Sequence, residues 1–477
     1  MPYRVHQRIV RDASSKLNVI VVGAGLGGLG AAIAILLAGH DVTVLESAST
    51  IGEVGAGIQV LPNSARVLFS WGLKDALEPH ATMPRKCNFI SWKGQHLSEM
   101  DYHAYAQAAN GPFMDFHRAN LHKCLLDRAV ELGAKLVTSA RVDDVEIAGD
   151  DAVDATVVLA DGRRMTADLV VGADGIHSRL REVLVGHADP PELTGDLAYR
   201  LLLPAAAMLA DPELRALVQD PQVNYWVGPD AHAVNYVLRG GELFNMVLLV
   251  PDDMPAGAST IAGSVAEMRD RYQGWDPRIT KLLALCDDSA DVTKWRLCIR
   301  PGLEPTWSHP SAALTLLGDA VHATLPYLAS GAGMALEDAG VLGLCLARIT
   351  ANGTAPAAAK RQALAAYEAC RRERTERVVA RGSYNQHMYH LHDGPEQEAR
   401  DQRFREFAEL DRQWMSDPAF TLPVTNETGE DPFPWRYHGV GRWLLTYDME
   451  KDLALRWPQS ADAAEGVEAE GMVRANI

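Results

Sequence analysis

The sequence has little of the chemistry that cysteine provides. Six cysteines are spread over 477 residues, and no Cys-x-x-Cys pair occurs. A zinc ribbon, a dithiol redox pair and a dense disulfide framework all need closely spaced cysteines, so this pattern argues against each of them. Free thiols fit a reducing compartment, and we expect a cytoplasmic protein.

Positive charge is also scarce. Lys and Arg number 45 against 62 Asp and Glu, which gives a formal net charge of -17 at pH 7. Nucleic acids and anionic membranes bind through clustered cations, so this balance argues against both as partners. Hydrophobic residues make up 47% of the chain, which is enough for a sizeable core. The composition therefore predicts a globular protein, in which a local basic pocket could still bind a small anion.

One uncharged run is long enough to raise the question of a membrane span. Residues 19–39 contain no charged side chain, and length alone predicts a transmembrane helix there. The five glycines within residues 23–30 argue against it, because each destabilises a helix interior by about 1 kcal/mol relative to alanine. We expect no stable membrane insertion. Residues 1–16 lack the apolar segment of a secretory signal, and we predict a disordered extension.

The same glycines fit a nucleotide-binding turn. A buried strand is predicted over residues 17–22, Gly23, Gly25 and Gly28 satisfy G-x-G-x-x-G, and a second strand ends at Glu46. The first glycine makes the turn, the second admits a pyrophosphate, and the third lets helix and strand pack closely. The helix N-terminus attracts the anion, and Glu46 is placed to bind a ribose hydroxyl. The motif predicts a bound dinucleotide and leaves NAD and FAD open.

Three later segments carry further glycine and aspartate motifs. They are DLVVGADGIHSRLR at residues 168–181, LTLLGDAVHATLP at 314–326 and GAGMALEDA at 331–339. In order and spacing they resemble the fingerprints of the class A, single-component flavoprotein monooxygenases, in particular the fungal relatives of salicylate hydroxylase. The resemblance extends over residues 17–385.

This resemblance implies that FAD is the tightly bound cofactor. In the family, the turn at Asp174 lies near the FAD pyrophosphate, and the aspartate at Asp319 accepts a hydrogen bond from the ribityl chain. Gly331 and Gly333 open a helix whose N-terminus faces the flavin ring, where its dipole favours negative charge on reduced flavin. Arg118 matches an arginine that reaches the cofactor from the other side.

The resemblance also implies the fold: an α/β protein with a Rossmann-like FAD-binding domain of the glutathione-reductase type and an inserted antiparallel-sheet substrate domain. Alternating residues between 193 and 250 independently predict antiparallel strands. Amphipathic helices are predicted over 361–390 and 396–416, followed by a poorly ordered connection to residue 440 and an acidic tail. We assign residues 17–85, 114–192 and 296–360 to the FAD-binding domain, 86–113 and 193–295 to the substrate domain, and 361–477 to the C-terminal helices and tail.

Three side chains of the predicted sheet are candidates for contact with the substrate. His232 and Tyr236 share one face of a strand about 13 Å apart, so they can line one pocket wall without touching. In related aromatic hydroxylases a similar His-x-x-x-Tyr contacts the substrate, and an arginine that matches Arg200 steadies a phenolate. The alternatives are a tyrosine packed into the core and an edge arginine that needs no anion.

The resemblance implies an enzyme that uses NADH or NADPH and O₂ to hydroxylate a phenolic compound such as a hydroxybenzoate or salicylate, with or without decarboxylation. Oxygen transfer then proceeds through a flavin C4a-hydroperoxide. Alternatives left open are a flavin oxidase or dehydrogenase on the same fold, a dearomatising hydroxylase of a larger phenolic metabolite, and an NAD-binding or non-catalytic module.

Two further expectations concern metals and assembly. The histidines at His387, His390 and His392 have no carboxylate or thiol set beside them in the sequence, so they predict a solvated helix end rather than a metal site. We expect a metal-free monomer or homodimer.

Overall fold

The computed structural model describes residues 3–52, 56–287, 292–349, 356–417, 432–436 and 440–457. Within these residues the chain has the α/β architecture that we expected, with a parallel sheet, a large mainly antiparallel sheet and a group of C-terminal helices. The predicted acidic tail and most of the connection between residues 417 and 440 lie outside the described residues.

The strands of the described part of the chain number eighteen. They are β1 (Asn18–Val22), β2 (Asp41–Leu45), β3 (Gly57–Val60), β4 (Lys86–Ser91), β5 (His96–Asp101), β6 (Met114–His117), β7 (Lys135–Val137), β8 (Val142–Glu146), β9 (Ala155–Leu159), β10 (Arg164–Ala167), β11 (Leu169–Gly172), β12 (Glu192–Pro204), β13 (Val223–Gly228), β14 (Ala231–Leu238), β15 (Leu243–Pro251), β16 (Thr260–Ala262), β17 (Thr293–Ile299) and β18 (Leu314–Leu316).

The α-helices of the same residues number fifteen. They are α1 (Leu26–Leu37), α2 (Pro62–Ser70), α3 (Lys74–Leu77), α4 (Tyr102–Ala108), α5 (Arg118–Glu131), α6 (Arg179–Val185), α7 (Pro212–Gln219), α8 (Val265–Arg271), α9 (Pro277–Ala284), α10 (Asp319–His322), α11 (Gly331–Ala347), α12 (Pro356–Tyr389), α13 (Pro395–Ser416), α14 (Val440–Leu445) and α15 (Met449–Arg456).

The first half of the fold is built on five parallel strands in the order β18-β11-β1-β2-β7. In the central strand β1, Val21 lies opposite Val171 of β11 and Val44 of β2. A parallel sheet is buried on both faces, which explains the nearly continuous Val, Ile and Leu of these strands. The buried helix α1 packs on α11. The Rossmann-like part of the prediction is confirmed.

The second half is an eight-stranded sheet in the order β16-β17-β12-β15-β14-β13-β4-β5. The strands β12 to β15 are the antiparallel strands predicted between residues 193 and 250, while β4 joins β13 in parallel. One face packs on α7, α8 and α9, and the other forms an aromatic-rich core with the C-terminal helices. The sheet combines the two predicted substrate-domain segments, although β17 continues to Ile299, beyond the boundary that we assigned at residue 295.

Two small sheets complete the strand pairing. β8, β9 and β10 form a three-stranded sheet, and β3 pairs with β6 in an antiparallel ribbon. In this ribbon Gly57 lies opposite His117. The ribbon therefore carries Gly57 and the neighbouring Arg118 to the space between the two large sheets.

The helix α12 links the two halves. It runs for 34 residues and begins at Pro356, before the predicted start at residue 361. Arg371 in its middle pairs with Glu337 and Asp338 of α11, and all three side chains are fully buried. At its other end, His390 follows the helix and reaches β14. The segment formed by α12 and His390 therefore contacts both α11, on the side of the parallel sheet, and the large sheet.

The amino-terminal segment corrects our expectation of a disordered extension. The N–H groups of His6 and Ile9 donate hydrogen bonds to Ser70 and Leu37. The guanidinium of Arg11 donates to backbone carbonyls at the C-terminal ends of α1 and α11, among them Ala38 at 2.6 Å and Ala347 at 2.7 Å. These carbonyls have no partner inside their helices, so a cation placed there is stabilised by hydrogen bonds and by the helix dipoles.

Candidate active site

A cavity of about 360 Å³ lies between the two large sheets. One wall is formed by the loops that follow β1, β11 and β18, and the other is the face of β12, β13, β14 and β15. Ligands of open parallel sheets bind at the carboxyl ends of the strands, so the position is that of a nucleotide site. The antiparallel wall lies opposite this site, across the same cavity.

The three glycines of the first motif have different structural roles. Gly23 has a φ of +102°, and a Cβ there would lie 2.4 Å from the carbonyl oxygen of Ala173. A Cβ on Gly28 would lie 1.9 Å from the carbonyl oxygen of Gly23. A Cβ on Gly25 would meet nothing within 4 Å, and Gly25 lines the cavity. Gly23 and Gly28 therefore serve the packing of the protein itself, whereas Gly25 leaves room for a ligand at the N-terminus of α1.

Glu46 lies beside this turn, at the end of β2. Its Oε2 accepts a hydrogen bond from the N–H of Ala24 at 3.0 Å, and its Oε1 accepts from Ala48 N–H at 2.8 Å and from the Ser47 hydroxyl at 3.0 Å. Burial opposes ionisation, but these hydrogen bonds outweigh it and lower the pKa of Glu46. The carboxylate is thus ionised and fixed next to the glycine turn, and its contact with a ribose stays a prediction.

Arg118 and Asp319 place opposite charges on the cavity wall. Arg118 is the first residue of α5, Asp319 is the first residue of α10, and both line the cavity. Desolvation raises the pKa of Asp319, although the charges of His322 and Arg118 oppose that shift. The Asp319 carboxyl opens into the cavity, where it can accept a hydrogen bond from a bound hydroxyl.

In each of the two remaining predicted cofactor motifs, one residue lines the cavity and another serves the packing of the protein. The carboxylate of Asp174 accepts hydrogen bonds from the Ser178 hydroxyl at 2.6 Å and from the Leu180 N–H at 3.1 Å, so it caps α6, while the adjacent Gly175 lines the cavity. Gly331 lines the cavity at the N-terminus of α11. Gly333 instead packs against α2, where a Cβ would lie 3.3 Å from the Ser64 hydroxyl oxygen.

The register of the large sheet explains how its candidates come together. Val247 of β15 lies opposite Arg200 on one side and Val234 on the other, so these three side chains point to the same face. His232 and Tyr236 flank Val234 at period two on β14 and share that face. All five residues line the cavity. The shared face predicted for His232 and Tyr236 is therefore observed.

Each of the three candidates has a distinct environment. The guanidinium of Arg200 lies 5.6 Å from the ring centre of Trp295, whose side chain is 39% exposed, so Arg200 sits at the outer part of the wall. Tyr236 packs closely on Gly57, where a Cβ would lie 2.7 Å from the tyrosine hydroxyl. Burial strongly raises the pKa of Tyr236 and lowers the pKa of His232, so both are neutral near pH 7.

The interpretation of the three later histidines needs one correction. His387 and His392 are exposed, at 58% and 68%, and pair with Glu396 and Asp230 on the surface. His390 is only 12% exposed, and its Nε2 lies 2.7 Å from Nδ1 of His232. The helix end is therefore solvated at two positions and buried at the third. No cluster able to hold a metal ion is found among the described residues.

Several cavity residues were not identified from the sequence. They are Gly57 and Gln59 of β3, Tyr225 of β13, and Thr324, Tyr327 and Ser330 of the segment between α10 and α11. The pairing of β13 with β14 places Tyr225 opposite Val234, which a period-two reading of both strands together could have found. Gly57 and Gln59 depend on the pairing of β3 with β6, and Thr324, Tyr327 and Ser330 depend on the conformation of their segment, for which the sequence gives no comparable signal.

The residues of the cavity fit a flavin nucleotide. Two helix N-termini, at α1 and α11, offer N–H groups to anionic parts of a ligand. Gly25 leaves space against one of them, Arg118 supplies positive charge, and Asp319 supplies an acceptor. A nucleotide site of this kind that opens onto the face of an antiparallel sheet defines a flavoprotein with an enclosed substrate pocket.

Comparison with known proteins gives the family. Residues 16–382 match the family described as FAD binding domain, so the chain belongs to it. It is 40% identical over 428 residues to the FAD-dependent monooxygenase OpS4 of Beauveria bassiana, an alignment that covers 88% of this chain and 94% of the relative. It is 36% identical over 397 residues to 3-amino-4-hydroxybenzoate 2-monooxygenase of Streptomyces cremeus, with coverage of 82% and 92%.

A solved structure shows the same fold. The structure described as a salicylate hydroxylase substrate complex matches with a TM-score of 0.72 at 22% identity, over 94% of this chain and all (100%) of the other. Together with the family match, this establishes the protein as a class A FAD-dependent aromatic monooxygenase. Among the described residues, no helix has the length and hydrophobicity needed to cross a bilayer.

Proposed function

We propose that this monooxygenase uses NADH or NADPH and O₂ to hydroxylate a phenolic acid of the hydroxybenzoate class. The observation that carries the proposal is the set of polar side chains Arg200, His232 and Tyr236, which lie with Tyr225 on a wall of the cavity that is otherwise formed by Ala, Val and Leu. The Streptomyces cremeus relative is a 3-amino-4-hydroxybenzoate 2-monooxygenase, which supports the same substrate class.

Arg200 supplies the positive charge that a phenolic acid needs. Its cation lies at the outer part of the wall, near Trp295, where it can pair with the carboxylate or the ionised hydroxyl of the substrate. A guanidinium binds carboxylate through two parallel hydrogen bonds, which fixes the orientation of the ring as well as its position. Apolar side chains between Arg200 and His232, including Val234 and Val247, exclude water from the ring.

His232 accepts the phenolic proton of the substrate, and Tyr236 donates a hydrogen bond to the substrate. Both are neutral near pH 7 because burial disfavours their charged forms. Nδ1 of His232 is engaged by His390, so Nε2 is the ring atom left to take the proton from the substrate hydroxyl. The Tyr236 hydroxyl, held against Gly57 at the other end of the strand face, can donate a hydrogen bond to a second polar group of the substrate. Removal of this proton makes the ring electron-rich, as an attack on activated oxygen requires.

When bound, FAD supplies hydride acceptance and oxygen activation to this site. The contribution of the chain is to place the ring, to keep water out and to stabilise the phenolate. Asp319 and the N-terminus of α11 lie on the opposite wall, where they hold the cofactor side of the cavity.

The test is a screen of salicylate, the hydroxybenzoates and 3-amino-4-hydroxybenzoate for acceleration of NADH and NADPH oxidation by the holoenzyme. Products formed under ¹⁸O₂ are then analysed by mass. We expect one acid to gain a single ¹⁸O atom, and carbon dioxide release identifies a decarboxylating hydroxylation. Hydrogen peroxide equal to the substrate consumed, with no ¹⁸O in the product, would instead identify a flavin oxidase.

A further inference from the structure

The cavity and a depression on the outer surface are separated by two imidazole rings. His232 lines the cavity, and His390 lines a surface depression of about 520 Å³. The two rings meet through Nδ1 of His232 and Nε2 of His390, 2.7 Å apart, and their ring centres are 5.0 Å apart. The contact joins residues 158 positions apart in the sequence, one on a strand and one just after α12.

Both histidines are held in place through their backbones. The carbonyl of His232 accepts a hydrogen bond from the Tyr272 hydroxyl at 2.8 Å, and the carbonyl of His390 accepts one from the N–H of Asp230 at 3.1 Å. The rings of Tyr327 and Tyr389 pack edge-on against His232. The pair is therefore a fixed arrangement, which a relay of protons requires.

One ring atom of the pair is left for a ligand. Nε2 of His232 is buried and has no hydrogen-bond partner among the described residues. Since Nδ1 is engaged by His390 and His232 lines the cavity, Nε2 is the ring atom left to form a hydrogen bond with a molecule bound there. On the other side, Nδ1 of His390 lies 3.7 Å from Oδ2 of the buried Asp196, and other parts of the His390 residue border the surface depression.

We propose that His390 is a relay residue, which carries the proton taken from the substrate by His232 out of the cavity to water in the surface depression. The proposal rests on the proposed function, because it needs a substrate that releases a proton at His232. It adds a positioning and relay residue from the C-terminal region, outside the sheet that forms the pocket wall.

The proton balance of the relay is closed. The substrate O–H bond breaks as His232 gains a proton on Nε2, and His232 releases its Nδ1 proton to Nε2 of His390. His390 then releases its Nδ1 proton to water, so each ring ends neutral with its proton on the other nitrogen. As the product ring becomes aromatic again, its oxygen takes a proton from Nε2 of His232, His232 regains a proton on Nδ1 from Nε2 of His390, and His390 regains one on Nδ1 from water. Both starting tautomers are thus restored, and the relay itself consumes no oxidant or reductant.

The charged and titratable groups around the pair are compatible with neutral rings. They are the carboxyls of Asp196 and Asp230 and the hydroxyls of Tyr225, Tyr272, Tyr327 and Tyr389. Desolvation lowers the pKa of His390 to about 4 and that of His232 well below its usual value. Burial raises the pKa of Tyr225, Tyr272 and Tyr327, which stay protonated. Transfer by tautomer exchange is therefore favoured over a stable imidazolium.

The test compares His390→Gln and His390→Phe with His387→Gln and His392→Gln in the holoenzyme, using the phenolic acid found by the screen. Glutamine retains a hydrogen bond to His232 but cannot exchange a proton between two ring atoms. We expect both His390 variants to keep their flavin absorbance and KM while kcat at pH 7 falls about a hundredfold, the usual contribution of a positioned proton-transfer group. The two surface variants should keep kcat within twofold.

The pH profile separates a relay from a structural role. In the His390 variants kcat should rise towards the wild-type value between pH 7 and 9, because hydroxide can then take the proton. A His390→Gln enzyme with wild-type kcat, or with a deficit that is constant over this pH range, would overturn the relay and leave the proposed function intact. If the wild-type enzyme hydroxylates none of the phenolic acids, the proposed function fails, and the relay fails with it.

Discussion

Nε2 of His322 lies 2.6 Å from Oδ2 of Asp338, and both side chains are buried. The same carboxylate oxygen accepts the N–H of Gly318 at 2.9 Å, and Oδ1 accepts from Nε of Arg371. Asp338 thus joins the turn that carries Asp319 to α11 and to α12. Burial alone would raise the pKa of Asp338, but His322 and Arg371 lower this pKa to about 2. The cofactor side of the cavity therefore depends on one buried ion network.

Asp338→Asn should destabilise the protein and weaken flavin retention. Removing one member of a buried ion network leaves charge that is only partly compensated, here on Arg371, which keeps its pair with Glu337, and costs about 3 kcal/mol. The measurements are the urea midpoint and the ratio of flavin to protein absorbance. Lys123→Ala, which breaks an exposed pair with Asp127, is the control and should change stability by less than about 0.5 kcal/mol. Equal effects of the two substitutions would contradict the network's importance.

Gly25→Ala and Gly28→Ala should have opposite consequences. A methyl group at position 25 meets no protein atom, so the fold should keep its stability while FAD binding is weakened by loss of space. A methyl group at position 28 meets the backbone of Gly23, so the fold itself should be lost or strongly destabilised. Thermal unfolding without flavin and fluorescence titration with FAD measure the two effects. Unaltered FAD affinity in Gly25→Ala would remove the assignment of this surface to the cofactor.

Tyr236→Phe and Arg200→Ala should lower coupled hydroxylation while the protein stays yellow. Each removes one polar contact to the bound substrate, and one such contact is worth about a hundredfold in rate. The measurements are product per NAD(P)H consumed and hydrogen peroxide release, which should rise as coupling falls. Arg215→Ala, an exposed arginine on α7, serves as the control. Coupled turnover equal to that of the wild type in both variants would show that Tyr236 and Arg200 make no contact with the substrate that the reaction needs.

Asp115 should make stability fall as pH rises. It is fully buried on β6, its Oδ1 accepts from Gln59 at 3.0 Å, and desolvation outweighs that bond and raises the pKa of Asp115 to about 8. The unfolded chain has a pKa of about 3.9 for Asp, so between these values the folded state holds a proton that the unfolded state has released. The group therefore stabilises the fold at low pH, and this contribution is lost progressively between about pH 4 and pH 8.

The measurement is denaturation by urea at pH 5.5 and 7.5 for the wild type and Asp115→Asn. Stability of the wild type should fall by about 1.4 kcal/mol per pH unit more than that of the variant, which cannot ionise. Asp143→Asn, at an exposed position on β8, should follow the wild type. Parallel pH dependence of all three proteins would show that Asp115 is ionised in the folded state.

The parts of the fold that were predicted from the sequence rest on local patterns. The turn at Gly23, the helix after it and the strand that ends at Glu46 are consecutive, and steric demands of the turn fix the residue types. The shared face of His232 and Tyr236 follows from the alternation of side chains in one strand. The later motifs resemble those of a known family in their order, and this resemblance supplied the other residues that were predicted to contact the cofactor.

The parts that were not predicted depend on contacts between distant segments. His390 looked like its exposed neighbours His387 and His392 because nothing local distinguishes the three. Only the packing of α12 on the large sheet buries one of them against His232. Arg11 likewise lies in a polar segment with no periodic pattern, and its binding sites, the ends of α1 and α11, are formed by other parts of the chain.

The helix α12 spans about 51 Å if each of its 34 residues advances the axis by about 1.5 Å. Ion pairs fasten it to α11 near its middle, and its far end sets the position of His390. The length of α12 therefore sets the distance between its contact with the nucleotide-binding half and its contact with the pocket wall. A change in its length or straightness would shift His390 relative to the nucleotide-binding half without altering any residue that lines the cavity wall formed by the loops after β1, β11 and β18.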